Sequence, residues 1–464
     1  MPAPKKSGLP ASDPSSYRPI SNLSVISKLL ERLVAKQLTS FLREHQLLPP
    51  QQSGFRAGFS TESAVTKVLS DLHDSVDRGN TPLLAHLDLS AAFDTVDHDI
   101  LLNRLHVSFG ISGSSLSWFR SYLSGRRQSV RCDGVNSSLV DVVCGVLQGS
   151  ILGPILFLIY TADLPSIVTA HGLSVHLYAD DSQIYGSCRP DCTSALSSSL
   201  SSCTNSVSEW MRSNRLQLNA DKTDVMWCAS ARRIASLPSA PVNIAGSDVL
   251  PVSTVRSLGV LVDSDLGAAS HVRMVVVKCF AALRQLRQLR RYVSDECFRS
   301  LVVALVHSRL DYGNFILVRS PAYRLRYLQS VLNAAARLTY RLGRYDHITD
   351  ALVSLHWLRV PERVDYKLAV QSYRVLHGAA PNYLKVLRRT ADLVSRQRLR
   401  SSASERLEVP AYKLSTVGRR SFAVAAPLFW NTLPLDVQTA PSLPVFRARL
   451  KTFLFRKSFP DVVF

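Results

Sequence analysis

The segment Ser174–Tyr185, with the sequence SVHLYADDSQIY, places two adjacent aspartates inside an otherwise apolar run. Neighbouring side chains on a strand point to opposite faces, so Asp180 and Asp181 can diverge only where a strand ends or turns tightly. The apolar residues on both sides predict two strands that meet at this point. The segment therefore predicts a β-hairpin whose tip presents negative charge.

A second acidic strand end lies upstream, in the run Leu83–Asp88 with the sequence LLAHLD. If the two strands are neighbours, three carboxylates converge, and two like charges about 4 Å apart repel by roughly 4 kcal/mol at an effective dielectric constant near 20. A divalent cation such as Mg²⁺, which prefers hard oxygen ligands, would relieve this repulsion. An isolated pair such as Asp180 and Asp181 is more often a turn or a helix cap, so the pattern depends on its partners.

A glycine-bearing turn lies between the two acidic segments, in Gly145–Tyr160 with the sequence GVLQGSILGPILFLIY. Gly149 removes a Cβ where a nucleotide or a nucleic-acid strand could approach. The side-chain amide of Gln148 offers both a donor and an acceptor at the same place. These residues predict a nucleotide-facing turn in front of an apolar helix.

The three motifs, taken in this order, resemble the reverse transcriptases of non-LTR, LINE-type retrotransposons of the jockey-like group. Other phrases extend the resemblance over nearly the whole chain: SYRPISNL at 16–23, QSGFRAGFST at 52–61, LQLNADKT at 216–223, SLGV at 257–260, LDYGN at 310–314, NAAAR at 333–337, LHWL at 355–358 and FWNTLP at 429–434. Each phrase is weak alone, but their order is specific.

The resemblance implies an α+β fold of the right-hand polymerase type. Its expected parts are fingers at 1–80, a palm with an antiparallel sheet and a fingers insertion at 81–270, a helical thumb at 271–340, and a mostly helical, family-specific C-terminal region at 341–464. The implied activity is an RNA-directed DNA polymerase that extends a primer 3′-hydroxyl by two-metal nucleotidyl transfer. The implied partners are an RNA template, a DNA primer and deoxynucleoside triphosphates, and the implied cofactor is two Mg²⁺ ions, with Mn²⁺ as a substitute.

The resemblance also implies roles for the acidic residues and their neighbours. Asp88 and Asp180 are expected to be the bridging metal ligands, and the Leu89 carbonyl fills another position. Asp181 is expected to be an auxiliary ligand or an orienting charge, because Asp180 is taken to be the better placed of the two on the strand. Lys222 is the expected proton donor to the leaving pyrophosphate.

A nucleotide-binding set is implied in the same way, by Arg56, Phe93, Gln148 and Gly149. The Arg56 guanidinium matches a triphosphate in a bidentate manner. Phe93 corresponds to an aromatic steric gate, since a flat ring beneath the sugar collides with a 2′-hydroxyl. Two alternative interpretations stay open. Phe93 is then an ordinary core residue, and Arg56 or Lys222 is a surface charge.

The chain carries a strong positive charge. Its 464 residues include 55 Lys and Arg against 35 Asp and Glu, a formal net charge of +20, with a pI near 9.9. Such a balance favours a polyanionic partner, nucleic acid first and an anionic membrane surface second.

One predicted thumb helix has leucines on one face and arginines on another. The leucines are Leu283, Leu286 and Leu289, and the arginines are Arg284, Arg287 and Arg291. The arginines form either a solvated basic face or a contact to a nucleic-acid backbone.

Several elements follow from apolar spacing alone. Helices are predicted over Ile26–Leu42, through Ala64 to Leu72, after a cap at Asp97, and through the serine-rich stretch Ser194–Ser202, which should pack beneath the palm sheet. Asp94 and Asp97 are interpreted as structural. The apolar run Val142–Tyr160 contains Gln148, glycines and Pro154, which favours a core helix with its lead-in turn over a membrane span.

The N-terminal segment Met1–Pro10 lacks the apolar core of a secretory signal. We therefore expect an intracellular protein, nuclear or cytoplasmic and not secreted, with no membrane partner and with its eight cysteines as free thiols.

Two other functions compete with an active reverse transcriptase. One is a catalytically inactive nucleic-acid-binding relic of a truncated element, disfavoured by the intact Asp88, Asp180 and Asp181. The other is an RNA-dependent RNA polymerase, disfavoured by Phe93.

Overall fold

The computed structural model describes residues 2–4, 13, 16–90, 92–132, 134–392 and 405–462. Its helices are α1 (Val25–Glu44), α2 (Thr61–Asp77), α3 (His98–Val107), α4 (Gly113–Leu123), α5 (Leu152–Tyr160), α6 (Leu164–Ala170), α7 (Thr193–Ser213), α8 (Ala269–Leu289), α9 (Asp295–Val302), α10 (Ser308–Asp311), α11 (Ala322–Tyr340), α12 (Thr349–Ser354), α13 (Val360–Leu376), α14 (Phe422–Trp430), α15 (Leu435–Gln438) and α16 (Leu443–Ser458). Its strands are β1 (Pro2–Pro4), β2 (Tyr17–Pro19), β3 (Thr81–Ser90), β4 (Arg127–Gln128), β5 (Arg131–Cys132), β6 (Val135–Asn136), β7 (Val140–Asp141), β8 (Ser174–Tyr178), β9 (Asp181–Cys188), β10 (Gln217–Trp227), β11 (Val242–Ile244), β12 (Ser247–Val249), β13 (Thr254–Ser257) and β14 (Val260–Asp263).

A four-stranded antiparallel sheet, in the order β10-β3-β9-β8, forms the centre of the region predicted as the palm. The predicted hairpin is present: β8 and β9 pair from Ser174 with Tyr185 up to Tyr178 with Asp181. The strand that carries Asp88 lies directly beside β9. Mixed helix and antiparallel sheet confirm the predicted α+β class.

The two faces of this sheet pack into two different cores, because side chains alternate along each strand. Leu83, Leu87 and Ile184 lie on one face, in a core built with α1, α3, α5 and α7. Leu84 and Tyr185 lie on the other, in a core that extends through α2 and α8 to the C-terminal helices. The sheet is thus covered on both sides.

The helix α2 joins the region predicted as fingers to the C-terminal region. The Asp77 carboxylate at its end accepts hydrogen bonds from the backbone N–H groups of Lys413 (2.9 and 3.0 Å) and Leu414 (2.6 Å). In its middle, the Ser70 hydroxyl lies 3.0 Å from that of Ser421. Residues far apart in sequence therefore share one packed unit around α2, while the predicted domain boundaries stay a prediction.

The helices predicted from apolar spacing are present. Helix α1 begins after Ser24, whose hydroxyl accepts from the Ser27 N–H, and Asp97 caps α3 by accepting from the N–H groups of Asp99 and Ile100. The serine-rich stretch is the helix α7, and its buried residues Leu196, Leu200, Cys203, Thr204, Val207 and Met211 face the sheet side of the core. The cysteines whose side chains the structure describes are free thiols, namely Cys144, Cys188, Cys192, Cys203, Cys228, Cys279 and Cys297.

Helix α5 is a core helix, as predicted. Eight of its nine residues are buried, including Phe157 and Tyr160. The stretch Leu152–Ala170 is apolar and long enough to cross a membrane by composition, but 67% of it is buried inside the protein. A mostly buried apolar stretch is typical of the core helix of a folded domain.

Candidate active site

The tip of the β8–β9 hairpin is a two-residue turn formed by Ala179 and Asp180. Tyr178 pairs with Asp181 across it, and Ala179 has a left-handed backbone with a φ of 56°. The expectation that Asp180 is the better placed aspartate on the strand is wrong, because the turn uses Asp180 and leaves Asp181 as the first residue of β9. Asp181 is thus the aspartate held by the strand.

Asp88 lies beside Asp181. The last paired residues of β3 and β9 are Leu87 and Ser182, so Asp88 and Asp181 are the next residues on their strands and share one face of the sheet. Burial, and after it the nearby Asp180 and Asp88 carboxylates, raise the pKa of Asp181 to about 6. The two other carboxylates predicted to converge are therefore both within electrostatic reach of Asp181.

Lys222 lies on β10, which flanks β3 on the side opposite β9, and its ammonium group reaches the Asp88 carboxylate. Strand β10 bulges between the pairs Asn219–Asp88 and Asp224–His86, and Lys222 Nζ lies 3.2 Å from Asp88 Oδ2. A bulge redirects side chains at a sheet end, which explains how a strand residue reaches a carboxylate on its neighbour. Lys222 partly neutralises the acidic cluster.

The acidic residues do not form a ready-made ligand cluster. Within the described part of the chain, no three His, Cys, Asp or Glu side chains are arranged to hold one metal ion. Asp88 is paired with Lys222 instead, and Leu89, predicted to offer its carbonyl, lies opposite Leu218 in the β3–β10 ladder. Lys222 thus takes up the charge of one of the three carboxylates.

The predicted nucleotide turn is joined to the loop that follows β3. The Gln148 amide donates to both oxygens of Asp94 (3.0 and 3.1 Å), and the Val146 N–H donates to the Phe93 carbonyl (2.7 Å). Asp94 thus fixes the orientation of the Gln148 amide. This supports the interpretation of Asp94 as structural and gives it a specific partner.

Gly149 is a glycine for a different reason from the one the sequence suggested. Its φ is 104°, a conformation that favours glycine. A Cβ at this position would lie 2.9 Å from the Ser21 carbonyl oxygen, so the space beside it is filled by the chain itself. A nucleotide contact at Gly149 stays a prediction.

Phe93 lies between two other aromatic rings. It stacks on Phe157 of α5, with ring centroids 4.5 Å apart, and meets Phe55 edge-on at 6.3 Å. Its side chain is half-buried, whereas 54% of Phe55 is exposed. Phe93 is therefore a supported ring at the edge of the site, compatible with both a gate and a core residue.

The chain that carries this site matches a known protein family over more than half of its length. Residues 3–262 match the family described as "Reverse transcriptase (RNA-dependent DNA polymerase)". The chain belongs to the reverse transcriptase family. This match and the four-stranded antiparallel sheet confirm the predicted polymerase fold.

Curated relatives of this reverse transcriptase come from non-LTR elements, which confirms the predicted resemblance. The chain is 31% identical to the "Probable RNA-directed DNA polymerase from transposon BS" of Drosophila melanogaster, over 65% of this chain and 33% of that protein. It is 30% identical to the protein of transposon X-element from the same organism, over 72% and 36%, and to that of mobile element jockey from Drosophila funebris, over 58% and 29%. The chain spans about a third of the length of these relatives.

Solved structures resemble this reverse transcriptase only distantly. A telomerase from Candida tropicalis is 13% identical with a TM-score of 0.36, over 51% of this chain and 44% of that one. The RNA-dependent RNA polymerase of a human picobirnavirus is 13% identical with a TM-score of 0.32, over 74% and 63%. At such values the likeness adds nothing to what the strand order shows.

Arg56 of this reverse transcriptase lies in the turn before α2 and is largely engaged with the protein. Its Nη1 donates to the carbonyls of Pro49 (2.7 Å) and Gln52 (3.0 Å), and its guanidinium stacks over Phe59 at 4.3 Å. Burial lowers the pKa of Arg56. Arg56 therefore organises its own turn, and a contact to a triphosphate stays a prediction.

The predicted thumb helix is α8, and it presents the expected basic face. Arg284 and Arg287 are exposed on the helix, whereas Arg291, predicted to share their face, lies beyond the helix end at Leu289. Arg291 is also exposed and lies over the ring of Tyr292 at 4.8 Å. The assignment of Leu289 to the apolar face is wrong: it is 46% exposed, because the helix ends at this residue. The basic face is solvated in the free protein, and nucleic-acid binding there stays a prediction.

One important residue beside the β8–β9 turn was missed by the sequence analysis. Gln52 begins the phrase at 52–61 that carries part of the family resemblance, and it is 1% exposed and forms an isolated parallel bridge with Leu177 of the hairpin. A glutamine followed by a glycine two residues later is a weak signal, and nothing in it points to a strand more than 120 residues away.

Proposed function

We propose that this chain is the polymerase part of a non-LTR retrotransposon protein, an RNA-directed DNA polymerase that extends a primer 3′-hydroxyl on an RNA template. The observation that carries the proposal is the pair Asp88 and Asp181 on adjacent strands with Asp180 at the turn, on one edge of the sheet of a reverse transcriptase. A carboxyl group whose pKa is raised by burial and by two neighbouring carboxylates, as that of Asp181 is, is typical of a functional site rather than of a structural turn.

The acidic cluster fits the divalent ions that reverse transcriptases generally use. All three donors are carboxylates, the ligands Mg²⁺ prefers, and their mutual repulsion would fall when cations bind. Asp88, Asp180 and Asp181, with the Leu89 carbonyl, would hold two Mg²⁺ ions, or Mn²⁺. Bound there, the ions would supply activation of the 3′-hydroxyl and neutralisation of the triphosphate charge.

Lys222 has two functions in this proposal. In the free protein it pairs with Asp88 and lowers the charge of the cluster. Its side chain is 67% exposed, so it can leave Asp88 at little cost. The released ammonium is then the proton donor to the leaving pyrophosphate.

The substrate side of the site is supplied by the loop after β3 and the glycine turn. Gln148, oriented by Asp94, offers a fixed amide to the incoming nucleotide or its template base. Phe93, backed by Phe157, forms a rigid floor for the sugar. The exposed arginines Arg284 and Arg287 follow the backbone of the template–primer duplex.

The primary test is primer extension. Purified protein with Mg²⁺ is expected to extend a labelled DNA primer on an RNA template with deoxynucleoside triphosphates, and not with ribonucleoside triphosphates. An Asp180→Asn protein purified in parallel identifies a contaminating polymerase. Binding of the template–primer without extension would instead favour an inactive nucleic-acid-binding relic, and extension with ribonucleotides an RNA polymerase.

Binding of the template–primer is expected to be strongly salt-dependent. If the basic surface neutralises six to ten phosphates, affinity should fall by about a thousand- to a hundred-thousandfold between about 50 and 200 mM salt. The net charge of +20 is the reason for expecting the steep end of this range. Fluorescence anisotropy of a labelled duplex across a salt series measures the slope, and a flat series would argue against a phosphate-tracking surface.

Phe93→Val tests the sugar gate. Removing the ring should raise the use of ribonucleotides relative to deoxynucleotides by about ten- to a hundredfold, since a small pocket change discriminates by this amount. The measurement is kcat/KM for each nucleotide type. Phe55→Val, which removes the neighbouring exposed ring, is the matched control. Unchanged discrimination in Phe93→Val would make Phe93 a core residue.

A further inference from the structure

A short segment of the chain lies along the edge of the catalytic hairpin. The Leu177 N–H donates to the Gln51 carbonyl (3.0 Å), and the Ser53 N–H donates to the Leu177 carbonyl (2.8 Å). Residues 51–54 thus lie along β8 through an isolated parallel bridge between Gln52 and Leu177, immediately before the turn with the aspartates. We call this segment the brace.

Inside the brace, the Gln52 side chain contacts the turn itself. Its Oε1 accepts from the Ala179 N–H (3.0 Å), and its Nε2 donates to the Ala179 carbonyl (3.3 Å). The same Oε1 accepts from the Gly54 N–H (2.8 Å). Both backbone groups of Ala179 are therefore bonded to one buried side-chain amide.

These bonds act on the residue whose conformation directs the aspartates. Ala179 has a φ of 56°, a conformation that an alanine adopts only where its surroundings require it. Asp180 and Asp181 follow directly, so the direction of both carboxylates depends on this one backbone conformation. The Gln52 amide compensates the unfavourable conformation by satisfying both polar groups of Ala179.

The brace is held from behind by the C-terminal region. The Ser53 hydroxyl lies 2.9 Å from His176 Nε2 on β8 and 2.9 Å from the Tyr383 hydroxyl. The Tyr383 hydroxyl also lies 3.0 Å from that of Ser63 on α2, and its ring meets the His176 ring edge-on at 4.9 Å. A residue from the predicted family-specific region therefore contacts both the brace and the catalytic hairpin.

We propose that Gln52 is a positioning residue that holds the Ala179–Asp180 turn in the conformation that binds metal, with Tyr383 of the C-terminal region locking the brace against the hairpin. The proposal deepens the proposed polymerase function and rests on it. It assigns to residues 341–464 a part in the geometry of the catalytic site.

The test compares Gln52→Met with Gln51→Met. Methionine keeps the length and volume of glutamine but has no amide, whereas Gln51 joins the brace through its backbone carbonyl. The first readout is hydrogen exchange of peptides covering residues 176–183, which reports on the turn without any catalysis. The second is Mn²⁺ affinity by electron paramagnetic resonance, and the third is primer extension with kcat and KM measured separately.

Gln52→Met should speed exchange in the hairpin by at least about tenfold, weaken Mn²⁺ binding by about ten- to a hundredfold, and lower kcat by a similar factor with little change in the KM for nucleotide. Gln52→Glu, which keeps the acceptor for Ala179 and Gly54, should recover part of each loss. The proposal would be overturned if a folded Gln52→Met protein had the same hairpin exchange and the same Mn²⁺ affinity as the wild type. It would also be overturned if Gln51→Met showed the same changes in exchange, Mn²⁺ affinity and kcat as Gln52→Met.

Tyr383→Phe provides an independent variant should Gln52→Met fail to fold. It removes the hydroxyl that contacts Ser53 and Ser63 but keeps the ring on His176. We expect hydrogen exchange in the hairpin to become about threefold to tenfold faster, because this is the effect of losing about one hydrogen bond. Unchanged exchange would overturn the role of Tyr383. If the wild type extends no primer, the polymerase function fails, while exchange and Mn²⁺ binding still decide the positioning role.

Discussion

Asp88→Asn is expected to abolish primer extension, with a loss of about a thousandfold or more in kcat. The substitution removes one of the carboxylates proposed to hold the metal ions, and metal stabilisation of developing charge amounts to several kcal/mol, of which about 4 kcal/mol is a thousandfold. Single-nucleotide extension under saturating nucleotide and template–primer measures the effect. Template–primer affinity should remain within about threefold of the wild type, because a phosphate-binding surface does not use this carboxylate.

The same variant should be as stable as the wild type or slightly more stable. Its ion pair with Lys222 is at the surface, with Lys222 67% exposed, so its loss should cost at most about 1 kcal/mol. Opposing this, removing one negative charge relieves the repulsion that raises the pKa of Asp181. Thermal unfolding measures the balance.

The matched control for Asp88→Asn is Asp191→Asn. Asp191 is an exposed aspartate just beyond the other end of β9, so the same charge change is made far from the turn. Asp191→Asn should extend primers at the wild-type rate. Extension by Asp88→Asn within tenfold of the wild type would rule out a catalytic role for the acidic cluster.

Gly54→Ala is expected to lower kcat by about a hundredfold or more. A Cβ on Gly54 would lie 2.3 Å from the Ala179 backbone nitrogen and 2.9 Å from its Cα, roughly 1 Å short of a normal contact of about 3.5 Å. Two backbones meet here, so no side-chain rotation relieves the overlap, and the brace or the turn must move. A displacement of this size at a reacting centre costs on the order of a hundredfold in rate.

The stability of Gly54→Ala should fall by about 1–3 kcal/mol, the usual cost of overpacking, which leaves a typical domain folded. Circular dichroism and thermal unfolding establish that the protein is folded before the kinetics are interpreted. Gly343→Ala is the control, because a Cβ there meets the Asp346 side chain at an ordinary 3.4 Å. Wild-type kcat in Gly54→Ala would show that the turn tolerates displacement and that the close approach has no functional consequence.

The sequence alone predicted the elements whose signals are local. The alternation of apolar residues around Asp180 and Asp181 predicted the hairpin, and the strand before Asp88 was recognised by its apolar run. The helices α1, α5 and α7 followed from apolar spacing even where serine dominated the composition. Such patterns are readable because each element must bury one face whatever else surrounds it.

Several details of the site were not predicted correctly or at all from the sequence. The expectation that Asp180 is the better placed aspartate on the strand was wrong, because the hairpin register, which the turn sets, leaves Asp180 in the turn and Asp181 on the strand. The close approach of the Ser21 carbonyl to Gly149 was not predicted, because Ser21 is brought in from a distant segment. The ion pair of Lys222 with Asp88 depends on a bulge in β10.

The family, the acidic hairpin and the basic charge of this protein can be recognised in the amino-acid sequence, because they are properties of contiguous residues. The bonds from Gln52 to both backbone groups of Ala179, and the contact of Tyr383 in the C-terminal region with the brace, are visible only in three dimensions. Gln52 is 127 residues from Ala179 in the chain, and Tyr383 is 330 residues from Ser53. Hydrogen bonds over such separations carry no local pattern, since they form only after the sheet and the two cores have brought the segments together.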